Sequence, residues 1–466
     1  MKKTYIFVGL VLSLTFFSCG TDDLDPTLDQ QKEASEAIKN VDNLYALVKG
    51  AYNRLTLSTY YGRDYIILNE VRTDNTFPNG SSGRFITQGG FSYASNSGHF
   101  WNAAYASISS ANLIISTDLS SLTGDMDRGK DIQGQAYALR ALAHFDLLKQ
   151  YGQAHVTGGT TPGGIPYITK YTSSETNPGV EDLLPNRNTI QEVKDKIYDD
   201  LETAYNMMVP SSDSHFFSKY AARALEARVA VYFEDWDRAV TAAEDVINNG
   251  GYSIIPKDNF VGSYETDNTQ NMILSLAFSS TDNRDSDGLG YIYRGNSYGD
   301  IEVLDNVATI FEPTDVRGLF DGEKGILGYE GSKLRNLGKF PDLNGSDDIP
   351  LLRYEELILN YAEALLESPT GGASDALTEL NKIPAERGAT PYAAATKENI
   401  LLERRKELMF EGFRFEDLMR TGSDIEKIDA NQAFSATIPY GDSRLALPIP
   451  LSQINSNSNI KQNKGY

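Results

Sequence analysis

Two stretches of this chain gather aromatic, amide, carboxylate and guanidinium side chains of the kind that line ligand-binding surfaces. In the first, residues 73–98, Asp74, Asn75, Asn79 and Arg84 supply carboxylate, amide and guanidinium groups, and Trp101 follows closely. In the second, Tyr291, Tyr293 and Tyr298 flank Arg294. Aromatic rings stack on apolar C–H faces, and planar polar groups make paired hydrogen bonds to hydroxyls. The candidate ligand set is therefore Asp74, Asn75, Arg84, Trp101, Tyr291, Tyr293, Arg294 and Tyr298. Trp101 and each tyrosine equally suit a helical core, so exposure decides between the two roles.

Other chemistry is spelled less completely. Asn283, Asp285 and Asp287, with Gly288 behind them, fit the first half of a calcium loop. The twelfth position of that loop is Arg294, where a bidentate carboxylate is needed. Gly295-Asn296-Ser297-Tyr298-Gly299 has the spelling of a hydrolase nucleophile elbow, which requires a histidine downstream. His99, His144, His155 and His215 all precede Ser297. No zinc-type histidine pair and no P-loop occurs. The expectation is a chain with neither cofactor nor catalysis. Glu403, Arg404, Arg405, Glu407, Glu411 and Arg414 fall at steps of three and four, which predicts an ion network along one helix.

The elements that must position these groups are mostly helical. Residues 218–249 hold two apolar stripes, Tyr220, Ala224, Ala227 and Val231, then Ala239, Ala243 and Val246. Ala227 and Ala239 lie twelve apart, where a tetratricopeptide pair brings its helices into contact. Ala364 and Ala376 repeat that spacing. Such pairs need stacked neighbours to bury their apolar faces. Further helices are predicted over 33–55, 100–119, 134–151, 190–208, 351–367 and 374–383. Thr189 with Glu192 is a capping box for the fourth of these. Residues 251–350 lose the helical period, and 271–278 read as a short buried strand. An irregular insertion of that length on a helical scaffold is where recognition usually sits.

The chain has 466 residues, 40% of them hydrophobic and 23% charged, ample for a large core. A formal net charge of −22 argues against nucleic-acid phosphate as a partner. Lys2 and Lys3 precede a run of about a dozen apolar residues, a secretory signal too short to span a bilayer. It ends at Cys19, the one cysteine of the sequence. That junction resembles the lipobox of bacterial lipoproteins, with Cys19 as the acylated residue. The mature chain is then held to a membrane by lipid, with residues 19–31 as an acidic tether.

Several landmarks together carry a family resemblance. They are Ala138-Leu139-Arg140-Ala141-Leu142-Ala143-His144-Phe145-Asp146-Leu147 with Tyr151-Gly152, then Gly163-Gly164-Ile165-Pro166-Tyr167, then Arg187-Asn188-Thr189. Residues 403–418 and the ending Leu447-Pro448-Ile449-Pro450 with 462–466 complete the series. Their order resembles the SusD/RagB family of Bacteroidetes lipoproteins from end to end. The resemblance implies a mainly α fold, with tetratricopeptide-like helix pairs as a scaffold and loop-rich insertions forming a ligand-binding face. The expected division is 1–18 signal peptide, 19–31 tether, and a single domain 32–466. Within it, 32–250 and 351–466 are helical and 251–350 is the insertion. It also implies a cell-surface protein of the outer membrane that captures oligosaccharide for a SusC-like TonB-dependent transporter. Within the family, capture of peptides is a variation, and a structural subunit without ligand contact is a further alternative.

Overall fold

A computed structural model of the protein describes residues 37–172, 178–295, 297–319 and 325–466. The signal segment, Cys19 and the tether lie outside the described residues. In chain order the principal helices of the first half are α1 (Val41–Leu55), α2 (Asp64–Val71), α3 (Trp101–Ser116), α4 (Met126–Tyr151), α5 (Ile190–Met207), α6 (Lys219–Tyr232) and α7 (Trp236–Asn249). The second half adds α8 (Leu289–Tyr293), α9 (Tyr354–Glu367), α10 (Ala373–Ala385), α11 (Lys397–Glu407) and α12 (Arg414–Arg420).

Their packing is sequential. α1 and α3 pack on α4, α4 on α5, α5 on α6, and α6 on α7. The stack then continues through space: α7 meets α9, which meets α10 and α11. Ala227, Ala239, Ala364 and Ala376 are all buried at these contacts. Ala230, Val231, Ala239 and Ala364 form a small cluster of their own. The two helix pairs marked by twelve-residue spacing thus stack on each other, because small side chains let the backbones approach.

Helix starts follow their caps. The Thr189 capping box is present in full. Asn40, Ser218 and Thr396 each accept from a backbone N–H in the first turn of the helix they precede. α4 begins at Met126, ahead of the residue 134 expected, because Asp125 accepts from the N–H groups of Asp127 and Arg128 at 3.0 and 3.2 Å. Buried on nearly every side in its second half, α4 has no polar face there to mark a period.

Three small antiparallel pairings join distant parts of the chain. β1 (Thr76–Pro78) pairs with β3 (Ile301–Val303), and β4 (Leu327–Glu330) with β5 (Lys333–Asn336). β2 (Met272–Leu276), the buried strand expected within 271–278, pairs with β6 (Ile349–Arg353). β6 takes the residues expected to open a helix at 351, and α9 starts at Tyr354. A short apolar run satisfies either state, and here a partner strand decided it.

The single helix expected across 403–418 is two. α11 ends at Glu407, and the chain turns through Phe410 at φ 70° and Gly412 at φ 85° before α12. A Cβ at Gly412 would also sit 3.2 Å from the Ile66 Cα. The charges of this segment therefore do not pair along one helix, except where Arg420 meets Asp417. Glu403 pairs with Arg317, Glu407 with Arg317, Arg353 and Arg387, and Glu411 with Arg353 and Lys339. Arg404 reaches Asp417, while Arg405 and Arg414 both reach Asp74. The ion network is real, but it is tertiary and buried.

Candidate ligand-binding face

Pairing of β1 with β3 brings the two polar, aromatic stretches of the sequence together. Thr76, Phe77 and Pro78 lie opposite Val303, Glu302 and Ile301. Beyond the ladder the loops are clasped. Asp300 accepts from the Ser82 N–H and hydroxyl at 2.9 and 2.8 Å, and its carbonyl accepts from the Asn79 N–H at 2.9 Å. The Asn79 amide donates to the Gly299 carbonyl at 2.7 Å and to Glu302 at 2.5 Å. Gly299 has φ 51°, and a Cβ there would meet the Arg294 carbonyl at 2.8 Å, so the turn needs glycine.

This clasp sets Arg84 over the Tyr298 ring, 4.5 Å from its centroid. Tyr298 meets Tyr291 edge to face at 4.9 Å and remains 41% exposed. The Arg84 guanidinium also pairs with Asp287 at 3.2 Å, and Arg63 reaches the same carboxylate. Arg63 in turn pairs with Asp64 at 2.7 Å and lies over Phe85. The Ser297 hydroxyl hydrogen-bonds to the carbonyls of Tyr291 and Arg294 at 2.7 and 2.8 Å. Ser297 therefore fastens the turn that presents Tyr298, and no histidine stands beside it to make it a nucleophile.

Other predicted ligand residues face elsewhere. Tyr293 is fully buried against Phe410, with its hydroxyl 3.4 Å from the Phe410 carbonyl. It lies two residues from Tyr291 on α8, so the two rings leave opposite sides of the turn. Arg294 donates to the Leu337 carbonyl, away from Tyr298. Asn75 is buried and accepts from Arg405 at 2.7 Å. Asp74 takes two hydrogen bonds from Arg414, both at 2.8 Å. Burial works to raise the Asp74 carboxyl, but Arg414 and Arg405 outweigh it and hold it at about 2. Asp74 and Asn75 are anchors for the C-terminal arginines, not ligand groups.

Trp101 is 2% exposed, edge-on to Tyr151 and tilted against Tyr105. It backs a separate cleft of about 300 Å3 bordered by Asn102, Pro166 and Gln453, and is no part of the Tyr298 group. The calcium reading fails on geometry. Asn283 is spent on the Ser280 carbonyl and the Asp285 N–H, and Asp287 on two arginines. Among the described residues no group of three or more His, Cys, Asp or Glu side chains could hold a metal ion.

Of the expected set, Arg84, Tyr291 and Tyr298 come together at the surface, and Arg63, Asp287 and Phe85 join them. Asp287 entered the sequence reading only as a calcium ligand. Arg63 and Phe85 carried no signal, since each is defined by a contact between distant segments.

Known proteins share this architecture. A family model described as starch-binding, associating with the outer membrane, matches residues 24–231, and the SusD family model matches residues 333–466. The chain belongs to the SusD/RagB family. A SusD superfamily protein from Bacteroides vulgatus superposes with a TM-score of 0.80 at 26% identity, over 92% of this chain and all of that one. A SusD-like protein, P38, of Formosa agariphila is 24% identical over 72% of this chain and 73% of its own length. The starch-binding protein SusD of Bacteroides thetaiotaomicron is 33% identical over 26% of this chain and 22% of its own. The fold is the mainly helical SusD fold. Residues 232–332, which contain Tyr291 and Tyr298, lie between the two family matches. Among the described residues no helix is long and apolar enough to cross a membrane.

Proposed function

We propose that this SusD-family protein is a glycan-binding lipoprotein of the outer membrane that captures oligosaccharides at the Arg84–Tyr298 face. It hands them to a SusC-like TonB-dependent transporter, and Cys19 carries the lipid that holds it at the cell surface. The observation that carries the reading is the Arg84, Tyr291 and Tyr298 group, an exposed aromatic ring beside a partly exposed guanidinium. An exposed ring offers a stacking face for a sugar, and the guanidinium beside it supplies a charged donor for a hydroxyl. Support for a glycan as the ligand comes from the family: one relative is named a starch-binding protein, and a laminarin-binding SusD-like protein shares the fold. The reading is of capture without bond making or breaking.

Affinity electrophoresis of the wild type and of Tyr298→Ala through gels carrying a panel of neutral polysaccharides tests it. Retardation of the wild type by at least one glycan, weakened in Tyr298→Ala, is expected. If no glycan retards the wild type, the reading fails. Co-purification of a TonB-dependent transporter from detergent-solubilised outer membranes tests the partner.

A further inference from the structure

A second opening shares no residue with the Arg84–Tyr298 face. It is an open cleft of about 420 Å3 between the turn 210–212, the first turn of α6, the turn 249–252 and the segment 268–272 that leads into β2. That volume lies within the usual range of small-molecule sites. Its lining includes two tyrosines, Tyr220 and Tyr252, and three primary amides, Asn249, Asn268 and Gln270. No acidic or basic side chain lines it among the described residues.

Each amide is fixed at one end and free at the other. Asn249 donates to Asp245 at 2.8 Å and Gln270 to the Ile254 carbonyl at 2.9 Å, which leaves both amide oxygens open. Asn268 accepts from the Ser214 N–H at 3.2 Å, which leaves its NH2 open. The Tyr220 ring packs on the core with one side, and its hydroxyl has no hydrogen-bond partner among the described residues. Tyr252 is seated by a glycine: a Cβ at Gly250 would stand 2.7 Å from the Tyr252 ring and 2.6 Å from the Val246 carbonyl. The cleft thus has two aromatic surfaces and a preset fringe of neutral donors and acceptors.

A charged ligand would find no counter-charge there, and an apolar one would strand the amides. A neutral sugar uses both features, ring faces for its C–H surface and amides for its hydroxyls. Because the cleft is open, an inner unit of a chain can lie across it with both ends free. We propose that this cleft is a second carbohydrate site, taking one or two neutral sugar units of a longer chain. It shares its ligand class with the function proposed above but rests on its own side chains. Two separate sites on one anchored protein would hold a polysaccharide more tightly than either alone.

The test is isothermal titration of the full-length mature protein with maltose, cellobiose, laminaribiose, xylobiose and the matching polysaccharides. Four variants are compared: Ser212→Trp, which fills the cleft from an exposed turn without touching the core, Tyr220→Ala, the double variant Arg84→Ala/Tyr298→Ala, and the triple variant that adds Ser212→Trp. Tyr220→Ala should weaken polysaccharide binding about tenfold, the loss of one stacked ring, and Ser212→Trp, which fills the cleft, at least as much. Ser212→Trp should keep the wild-type melting temperature. The double variant should retain weak binding that the triple variant lacks. Wild-type affinity of Ser212→Trp for every ligand overturns the cleft, as does complete loss of binding in the double variant, which would leave the Arg84–Tyr298 face standing. Loss in Ser212→Trp with none in the double variant upholds the cleft and removes that face instead.

Discussion

Arg84 lies over the ring of Tyr298, 4.5 Å from its centroid, although the two belong to segments far apart in the chain. Nothing between them in sequence enforces this contact. Three residue pairs between Thr76–Pro78 and Ile301–Val303, and the carboxylate of Asp300, do so.

If that ring receives the sugar, Tyr298→Ala should cost about 1–2 kcal/mol of glycan binding, the worth of one stacked aromatic with its area. Tyr298→Phe should keep most of the affinity, since the ring and not the hydroxyl does the stacking. Arg84→Lys should fall between, because a point charge replaces a planar fork. Titration of the three variants with the best-bound glycan gives the ranking, and equal affinities for Tyr298→Ala and the wild type would remove Tyr298 from the site.

Asp300 is buried and holds Ser82 through two hydrogen bonds. Asp300→Ala should therefore free the loop that carries Arg84. The expected signature is faster amide hydrogen exchange over residues 79–90 and weaker glycan binding, with a stability loss of about 1–3 kcal/mol. Unchanged exchange in that segment would show that β1–β3 pairing alone holds the loop.

Glu407 accepts from Arg317, Arg353 and Arg387 inside the protein. Burial works to raise its carboxyl, but the three guanidinium groups hold it far below the usual carboxylate range. A depressed carboxylate contributes stability above its unfolded value, lost as pH falls through the folded one, so this contribution is intact at neutral pH. Glu407→Gln leaves buried arginines under-compensated and should cost about 3–5 kcal/mol. Urea unfolding at pH 7 followed by circular dichroism measures it.

Glu70 behaves in the opposite sense. Burial pushes its carboxyl up from 4.5 to about 7, against the N–H of Gly412, which donates to it at 2.9 Å. Between pH 4.5 and 7 the folded protein keeps a proton that the unfolded chain releases, so this group makes stability fall as pH rises through that window. His99 and His155, which burial lowers to about 4, act the other way between 4 and 6.5. The difference between wild type and Glu70→Gln isolates the glutamate. The urea midpoint of Glu70→Gln relative to the wild type should be higher at pH 8 than at pH 5, and parallel profiles would rule the assignment out.

Cys19→Ser should abolish incorporation of labelled palmitate and move the protein from the membrane fraction to the soluble one. Continued membrane association of the variant would locate the anchor elsewhere.

Local information in the sequence was enough for the parts of the fold that depend on neighbours along the chain. The Thr189–Glu192 box, the strand within 271–278 and the alanines twelve apart all involve groups within about a dozen residues of one another, or a single face of one element. The C-terminal ion pairs were legible as charges but not as partners. Glu403, Glu407 and Glu411 find Arg317, Arg353, Arg387 and Lys339 only because Phe410 and Gly412 turn the chain and β6 approaches.

The binding face divides in the same way. The residue types and the two segments that carry them are legible along the chain, and with them the chemistry on offer. Which rings remain outside was settled by tertiary contacts: α8 turns Tyr291 outward and Tyr293 into Phe410, while Arg405 and Arg414 draw Asn75 and Asp74 inward. Composition sets what a side chain can do, but exposure follows from which distant surface reaches it first, and that is decided only when the whole chain packs.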